Sequence, residues 1–156
     1  MTSAGPRALY RSAAAAEMVT WGLLILAMVL KYSGITAALT PVAGGVHGFV
    51  FLCYVAVVIA VWVDERWPAG RGLVALGSAV IPFMTVPFER HLHRHGGPSA
   101  RWRVLEEPAS ARSAGDRLLA TVLGRPVLSA FVVLGAVAVL FTALLTAGPP
   151  TQWFGA

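Results

Sequence analysis

The sequence predicts an all-α fold, a polytopic transmembrane helical bundle with a three-helix core and an appended fourth helix. Three observations predict it. Hydrophobic residues make up 57% of the 156-residue chain and charged residues only 12%, about half of the ~25% that a soluble domain carries. Mean hydropathy is +0.72. The apolar residues gather into four runs, most of them near the ~20 residues that a helix needs to cross a bilayer. So few charges cannot cover a globule with a wetted surface, which excludes a soluble cytosolic enzyme and a disordered chain.

The first run, Ala13 to Leu30, has Glu17 as its only charge and ends at Lys31-Tyr32, which predicts a span over 13–31. It is too long for a secretory signal, and Lys31 stands where a small-residue cleavage site would be; a retained helix is expected. The second passes from Val42 through His47 and stops at Asp64-Glu65-Arg66, a span over 42–63. The third, 71–88, is shorter and contains Pro82, but Trp67 and Phe88 flank it as interfacial aromatics do. The fourth covers 127–147 and gives way to Gly148-Pro149-Pro150 in a short tail, 148–156.

The connections differ in kind. Ser33 to Pro41 is short and uncharged, and Asp64 to Arg71 reads as a tight turn around Pro68 and Gly70. The segment 91–126 is a polar, Arg-rich linker whose Gly96-Gly97-Pro98-Ser99 reads as a flexible spacer. Within it, Ser113 to Leu123 predicts a short amphipathic helix on the membrane surface. Ser113 is the N-cap and Asp116 stands three residues on, as in a capping box. Pro126 suits the first turn of the last helix. Composition changes after Arg90, so a boundary is placed there, with 1–90 as the core unit.

Net charge is +5 and the pI about 10.4. Seven of the twelve basic residues lie between Arg90 and Arg125, which reads as a cytoplasmic loop obeying the positive-inside rule and not as a nucleic-acid surface. With four spans, an outside N-terminus puts Lys31 and those seven arginines inside. The expectation is therefore a multi-pass plasma-membrane protein with both termini outside and the linker, 89–126, in the cytoplasm.

An ionisable side chain at the bilayer centre costs about 2.5–3.5 kcal/mol by insertion scales and so needs a reason. Glu17, Thr20, Trp21, Leu24, Met28 and Lys31 share one stripe of the first helix. His47, Phe51, Tyr54, Val58, Val61 and Glu65 share one of the second, and Arg71, Ser78, Pro82, Thr85 and Glu89 one of the third. Three polar faces that converge make Glu17, Lys31, His47, Tyr54 and Arg71 the candidate intramembrane polar site. Counting from the apolar boundaries puts Glu17 level with the 65–71 turn, so Arg66 or Arg71 is its expected partner. Lys31 and His47 are expected at the other level, near Glu89. Two readings stay open. One is a set of interfacial ion pairs that fix helix register. The other is a proton or ligand site lined by Glu17, His47 and Tyr54, since histidine titrates near neutrality.

Gly44 and Gly48 have the small-x-x-x-small spacing of closely packed membrane helices, within the chain or between copies. Cys53, the single cysteine, sits in an apolar run and reads as packing. His91, His93 and His95 read as a solvated basic segment, because spacing by two does not bring three imidazoles to one helix face and no cysteine or carboxylate completes a metal set. No phosphate loop, paired-cysteine motif or nucleophile elbow is present. No catalytic residue, metal or cofactor is assigned.

The elements Glu17-x-x-Thr20-Trp21-x-x-Leu24, Lys31-Tyr32, Gly45-Val46-His47-Gly48-x-x-Phe51-x-x-Tyr54 and Pro82-Phe83 resemble a family of small bacterial integral membrane proteins of unknown function, common in actinobacteria and usually of three spans. The resemblance covers about Arg7 to Arg90. It implies the membrane fold and the choice of polar residues, and no mechanism. The expected role is a non-enzymatic accessory or interaction subunit of a membrane assembly, whose partners are the lipid bilayer and a membrane protein or a second copy of the chain. The rival is a small oligomeric transporter or proton-conducting protein using Glu17, His47 and Tyr54. A membrane enzyme acting on a lipid or quinone is a third option.

Overall fold

A computed structural model describes residues 4–147, and all their regular structure is helical; the expected tail 148–156 lies outside the described residues. The frame is an antiparallel pair, α1 (Pro6–Tyr32) and α2 (Leu39–Glu65), each of 27 residues. At about 1.5 Å per residue each is roughly 40 Å long, more than the ~30 Å hydrocarbon layer requires. Helix α1 starts well before its apolar run. Gly5 is extended, Pro6 takes the first helical position, and its fixed φ and missing N–H suit that place. The alanines from 13 to 16 then carry the helix onward with the highest helix propensity. Helix α2 ends where Arg66 turns left-handed at φ 50°. Trp67 N there donates to Trp62 O at 3.2 Å, closing the end as a C-terminal cap does.

The third apolar run is not the single helix expected over 71–88. It forms α3 (Ala69–Gly77) and α4 (Thr85–Arg94), separated by a break over residues 78–84. Pro82 explains the break: it offers no N–H, its ring would clash with the carbonyl four residues back, and it biases Ile81 away from the helical region. Phe83 completes the turn at φ 64°. Pro87 is tolerated because it falls in the first turn of α4, where backbone N–H groups lack intrahelical partners anyway. With 9 and 10 residues, α3 and α4 are each about 15 Å long and reach only halfway across a bilayer. The chain dips in and comes back. Thr85 Oγ1 donates to Ala14 O at 3.0 Å, which ties α4 to the first half of α1. Val80 and Ile81 at the tip are exposed, as suits side chains that meet lipid.

The linker then packs across the end of the bundle. The short helix α5 (Arg103–Glu106) and α6 (Ala114–Gly124) lead to the last long helix, α7 (Pro126–Ala147). The expected capping box is present: Asp116 N donates to Ser113 Oγ at 3.0 Å, and Ser113 N to Asp116 Oδ2 at 3.2 Å. The segment 96–99, expected to be a flexible spacer, is held at several points. Arg7 N donates to Ser99 O at 3.2 Å and Arg7 Nε to Pro98 O at 2.9 Å. Ser99 N and Oγ donate to Glu65 Oε1 at 2.6 and 2.7 Å. Trp102 Nε1 donates to Ala4 O at 2.8 Å. Trp102, Val104 and Leu119 share one buried cluster with Tyr10, Tyr54 and Trp67, so the core is continuous across Arg90.

Among the described residues, three helices are long and apolar enough to cross a membrane: α1, α2 and the 130–147 part of α7. Because α3 and α4 return to the end they left, two helices of membrane-crossing length and not three lie between the start of the chain and the linker. The Arg7–Ser99 and Trp102–Ala4 bonds put both at the same end. The expectation of an outside N-terminus and an inside linker rested on a third crossing over 71–88, a stretch that here forms two short helices. Helix α7 leaves from the linker end, so its last turns lie at the opposite end, with Lys31.

Candidate functional site

Glu17 lies midway along α1, because that helix begins at Pro6 and not near Ala13. Its level is that of His47 on the antiparallel α2, and the two meet: His47 Nδ1 is 3.9 Å from Glu17 Oε2. The expected partners are elsewhere. Arg66 Nη2 lies 3.7 Å from Asp116 Oδ2, and Arg71 is exposed on α3 at the linker end. Glu17 is fully buried, and neither of its carboxylate oxygens has a hydrogen-bond partner among the described residues. Buried polar groups nearly always have one.

His47 is held on three sides. Thr20 Oγ1 is 3.2 Å from Nδ1 and also donates to Glu17 O at 3.0 Å. With the hydroxyl proton committed to that carbonyl, Nδ1 acts as the donor, since a neutral imidazole has one N–H and one acceptor nitrogen. The Trp21 ring is tilted over the imidazole with centroids 4.5 Å apart, and Phe51 lies at 6.5 Å. An apolar wall and a hydroxyl leave His47 and Glu17 facing each other.

Tyr54 belongs to a neighbouring network that closes the helix break. Its hydroxyl donates to Ala75 O at 3.2 Å and lies 3.1 Å from both Ser78 Oγ and Tyr10 Oη. Ser78 Oγ donates to Ala75 O at 2.7 Å, and Trp21 Nε1 to Ala79 O at 3.0 Å. Non-helical backbone at membrane depth survives only where protein supplies the missing hydrogen bonds, and Tyr54, Ser78 and Trp21 supply them. Tyr10 is fully buried and went unnoticed in sequence because it precedes the apolar run. Its spacing to Ala14 and Glu17 is that of one helix face, a signal that depends on starting the helix at Pro6.

Lys31 stands in the last exposed turn of α1, its Nζ 5.7 Å from the Tyr32 ring centroid, far from Glu17. Glu89 is not near Lys31: α4 carries it back to the linker end, where it lines a cleft with Arg11. Helix α4 stacks His91 on His95, with ring centroids 4.3 Å apart, while His93 faces the same cleft.

The two glycines divide their work. A Cβ on Gly44 would come within 4.0 Å of Leu24 of α1, whereas one on Gly48 would come within 3.0 Å of Phe141 of α7. Phe141 also meets Phe49 edge-on at 6.1 Å, so α7, expected as an appended helix, is seated on the glycine face of α2. A glycine the sequence did not single out is Gly72, where a Cβ would lie 2.2 Å from the Trp62 ring.

A family model described as Domain of unknown function (DUF3817) matches residues 7–94, the stretch from the first turn of α1 to the last residue of α4. SCO5905 of Streptomyces coelicolor, which carries the name of a membrane protein, is 39% identical over 82 residues, 51% of this chain and 10% of that protein. YdzA of Bacillus subtilis, named an uncharacterized membrane protein, is 32% identical over 74 residues, 47% of this chain and 76% of its own. The chain thus spans a small part of the Streptomyces relative's length and about three quarters of the Bacillus one's. No solved structure matches. The family model covers more than half of the chain and lies on the elements that build the buried pair and the hairpin: this is a membrane protein of the DUF3817 family, a family of unknown function.

Proposed function

We propose that this protein is a small transport-type membrane protein in which Glu17 and His47 take up and pass a proton near the middle of the bilayer. The observation that carries the reading is the buried Glu17 carboxylate, without a hydrogen-bond partner at either oxygen among the described residues and 3.9 Å from His47 Nδ1. An intramembrane ionisable pair beside irregular backbone is a common form of a proton or ion path. A separation of 3.9 Å exceeds a hydrogen bond; one side-chain rotation or one bridging water closes it. Tyr54 serves by holding the hairpin against α1 and α2. Three crossings in one chain do not enclose a path, so the working unit is more than one copy.

The test is proton flux into liposomes reconstituted with the purified chain, driven by a membrane potential and read by an internal pH dye. Wild type should acidify or alkalinise the lumen well above empty liposomes. Glu17→Gln and His47→Gln should lose at least about tenfold of the rate, because neither amide carries a proton near neutrality. Variants that fold and conduct like wild type, or a wild type no faster than empty liposomes, would leave the accessory-subunit reading, in which the pair only sets helix register.

The orientation follows from charge. Every arginine lies at the linker end of the bundle, and Lys31 lies at the other. The positive-inside rule then puts the start of the chain and the linker in the cytoplasm and the end of α7 outside the plasma membrane.

A further inference from the structure

A cleft of about 410 Å³ opens between α1 and α4 at the linker end. Its mouth carries Arg11 from α1 with Arg90 and Arg94 from α4, spaced so that the two α4 guanidiniums share a helix face. Its walls are apolar: Ala15 and Met18 follow Arg11 at one and two turns along α1, and Val86 faces them. Glu89 also lines the cleft, so three arginines against one carboxylate leave two positive charges there before His93 is counted. None of these arginines forms an ion pair among the described residues, unlike Arg101 and Arg103, which hold Glu106 and Asp116. Depth gives the cleft its direction. Arg11 and Lys31 are about 30 Å apart along α1, the thickness of the hydrocarbon layer, so Arg11 sits at the headgroup level and Met18 within the acyl region.

We infer that this cleft is a binding site for an anionic phospholipid. The phosphate docks on Arg11, Arg90 and Arg94, and an acyl chain lies along Ala15, Met18 and Val86. Guanidinium groups suit this task because their planar fork pairs two N–H donors with phosphate oxygens, and basic pockets between membrane helices on the cytoplasmic side take such headgroups. The apolar wall directly beneath the charges separates a lipid from a free anion, which would use the mouth alone.

The purified full-length chain, stripped of lipid in detergent, is titrated with phosphatidylglycerol, phosphatidylcholine or inorganic phosphate, and adducts are counted by mass spectrometry of the intact protein. Phosphatidylglycerol should bind at least about tenfold more tightly than phosphatidylcholine, with roughly fivefold from each arginine. The triple change Arg11→Gln, Arg90→Gln, Arg94→Gln should abolish that preference. A charge-matched control, Arg71→Gln, Arg117→Gln, Arg125→Gln, should keep it. Should the triple variant not fold, Arg94→Gln alone, at the exposed end of α4, should weaken phosphatidylglycerol several-fold. Equal binding of the two lipids, binding of phosphate without the lipid, equal loss in the control, or an unaffected Arg94→Gln would each overturn the inference.

Discussion

Arg103 reaches three groups from one guanidinium. It donates to Asp64 O and, at 3.3 Å, to Val63 O, the last carbonyls of α2, and pairs with Asp116 at the start of α6. Asp64 in turn accepts from Arg103 N and Val104 N at 3.1 Å each, so a buried carboxylate takes the otherwise unpaired donors of α5. Arg103 holds the Asp116 carboxyl down at about 2 from its ordinary 3.8. Because the folded value is depressed, the ionised pair contributes its full stability above pH 3.8 and loses it as pH falls toward 2. Tryptophan fluorescence of the detergent-solubilised chain should therefore report release of α6 from Trp62 and Trp67 between about pH 4 and 2. Asp116→Asn should remove that step and weaken α6 at neutral pH; an unchanged acid transition would place the titration in another group. None of this was legible in sequence. Arg103, Asp64 and Asp116 lie in three different segments with no shared periodicity, while the local Ser113–Asp116 cap was legible because its spacing is fixed within one turn.

Glycine decides how the long helices meet. Gly48 leaves room for Phe141, with a Cβ clearance of only 3.0 Å, whereas Gly44 has 4.0 Å to Leu24. Gly44→Ala should be tolerated. Gly48→Leu should drive α7 off α2, at a cost of about 1–3 kcal/mol for overpacking. With Phe141 kept, crosslinking between cysteines placed at Leu52 and Val137, each one turn along its helix from the Gly48–Phe141 contact, would fall in Gly48→Leu and persist in Gly44→Ala; equal yields in both would remove Gly48 from the seat of α7. The Gly44-x-x-x-Gly48 spacing marked a close contact but not its partner, since one glycine faces α1 and the next turn faces α7. The third apolar run shows the same limit. Pro82 was visible, and its cost to a helix was known. What the run became depended on whether Tyr54, Ser78 and Trp21 could satisfy the carbonyls that the break exposes.

At the scale of the whole molecule, the break changes the parity of the fold. With α3 and α4 returning, Ser99 and Arg7 share an end and Thr36, in the turn between α1 and α2, lies at the other. In intact cells a cysteine at Thr36 should react readily with a membrane-impermeant thiol reagent, while one at Ser99 should react only after permeabilisation. Labelling at Ser99 in intact cells would invert the orientation, and labelling at both positions would show that the hairpin does not return.

The sequence by itself determined the membrane class, the helical content and the extent of α2 and α7 to within a few residues, because composition and apolar run length bear directly on transfer into lipid. It also picked out Glu17, His47 and Tyr54, because an ionisable or polar group inside an apolar run is conspicuous without any knowledge of its neighbours. The tertiary structure alone decided which of these meet. Pairing depends on helix register, and register depended on a helix start at Pro6, in a polar stretch that hydropathy does not see. It also separated Glu17–His47 from the Tyr54 network, placed His47 and not Arg71 beside Glu17, and turned an expected crossing into a hairpin. Each of these outcomes rests on contacts between residues far apart in the chain, which local pattern cannot encode.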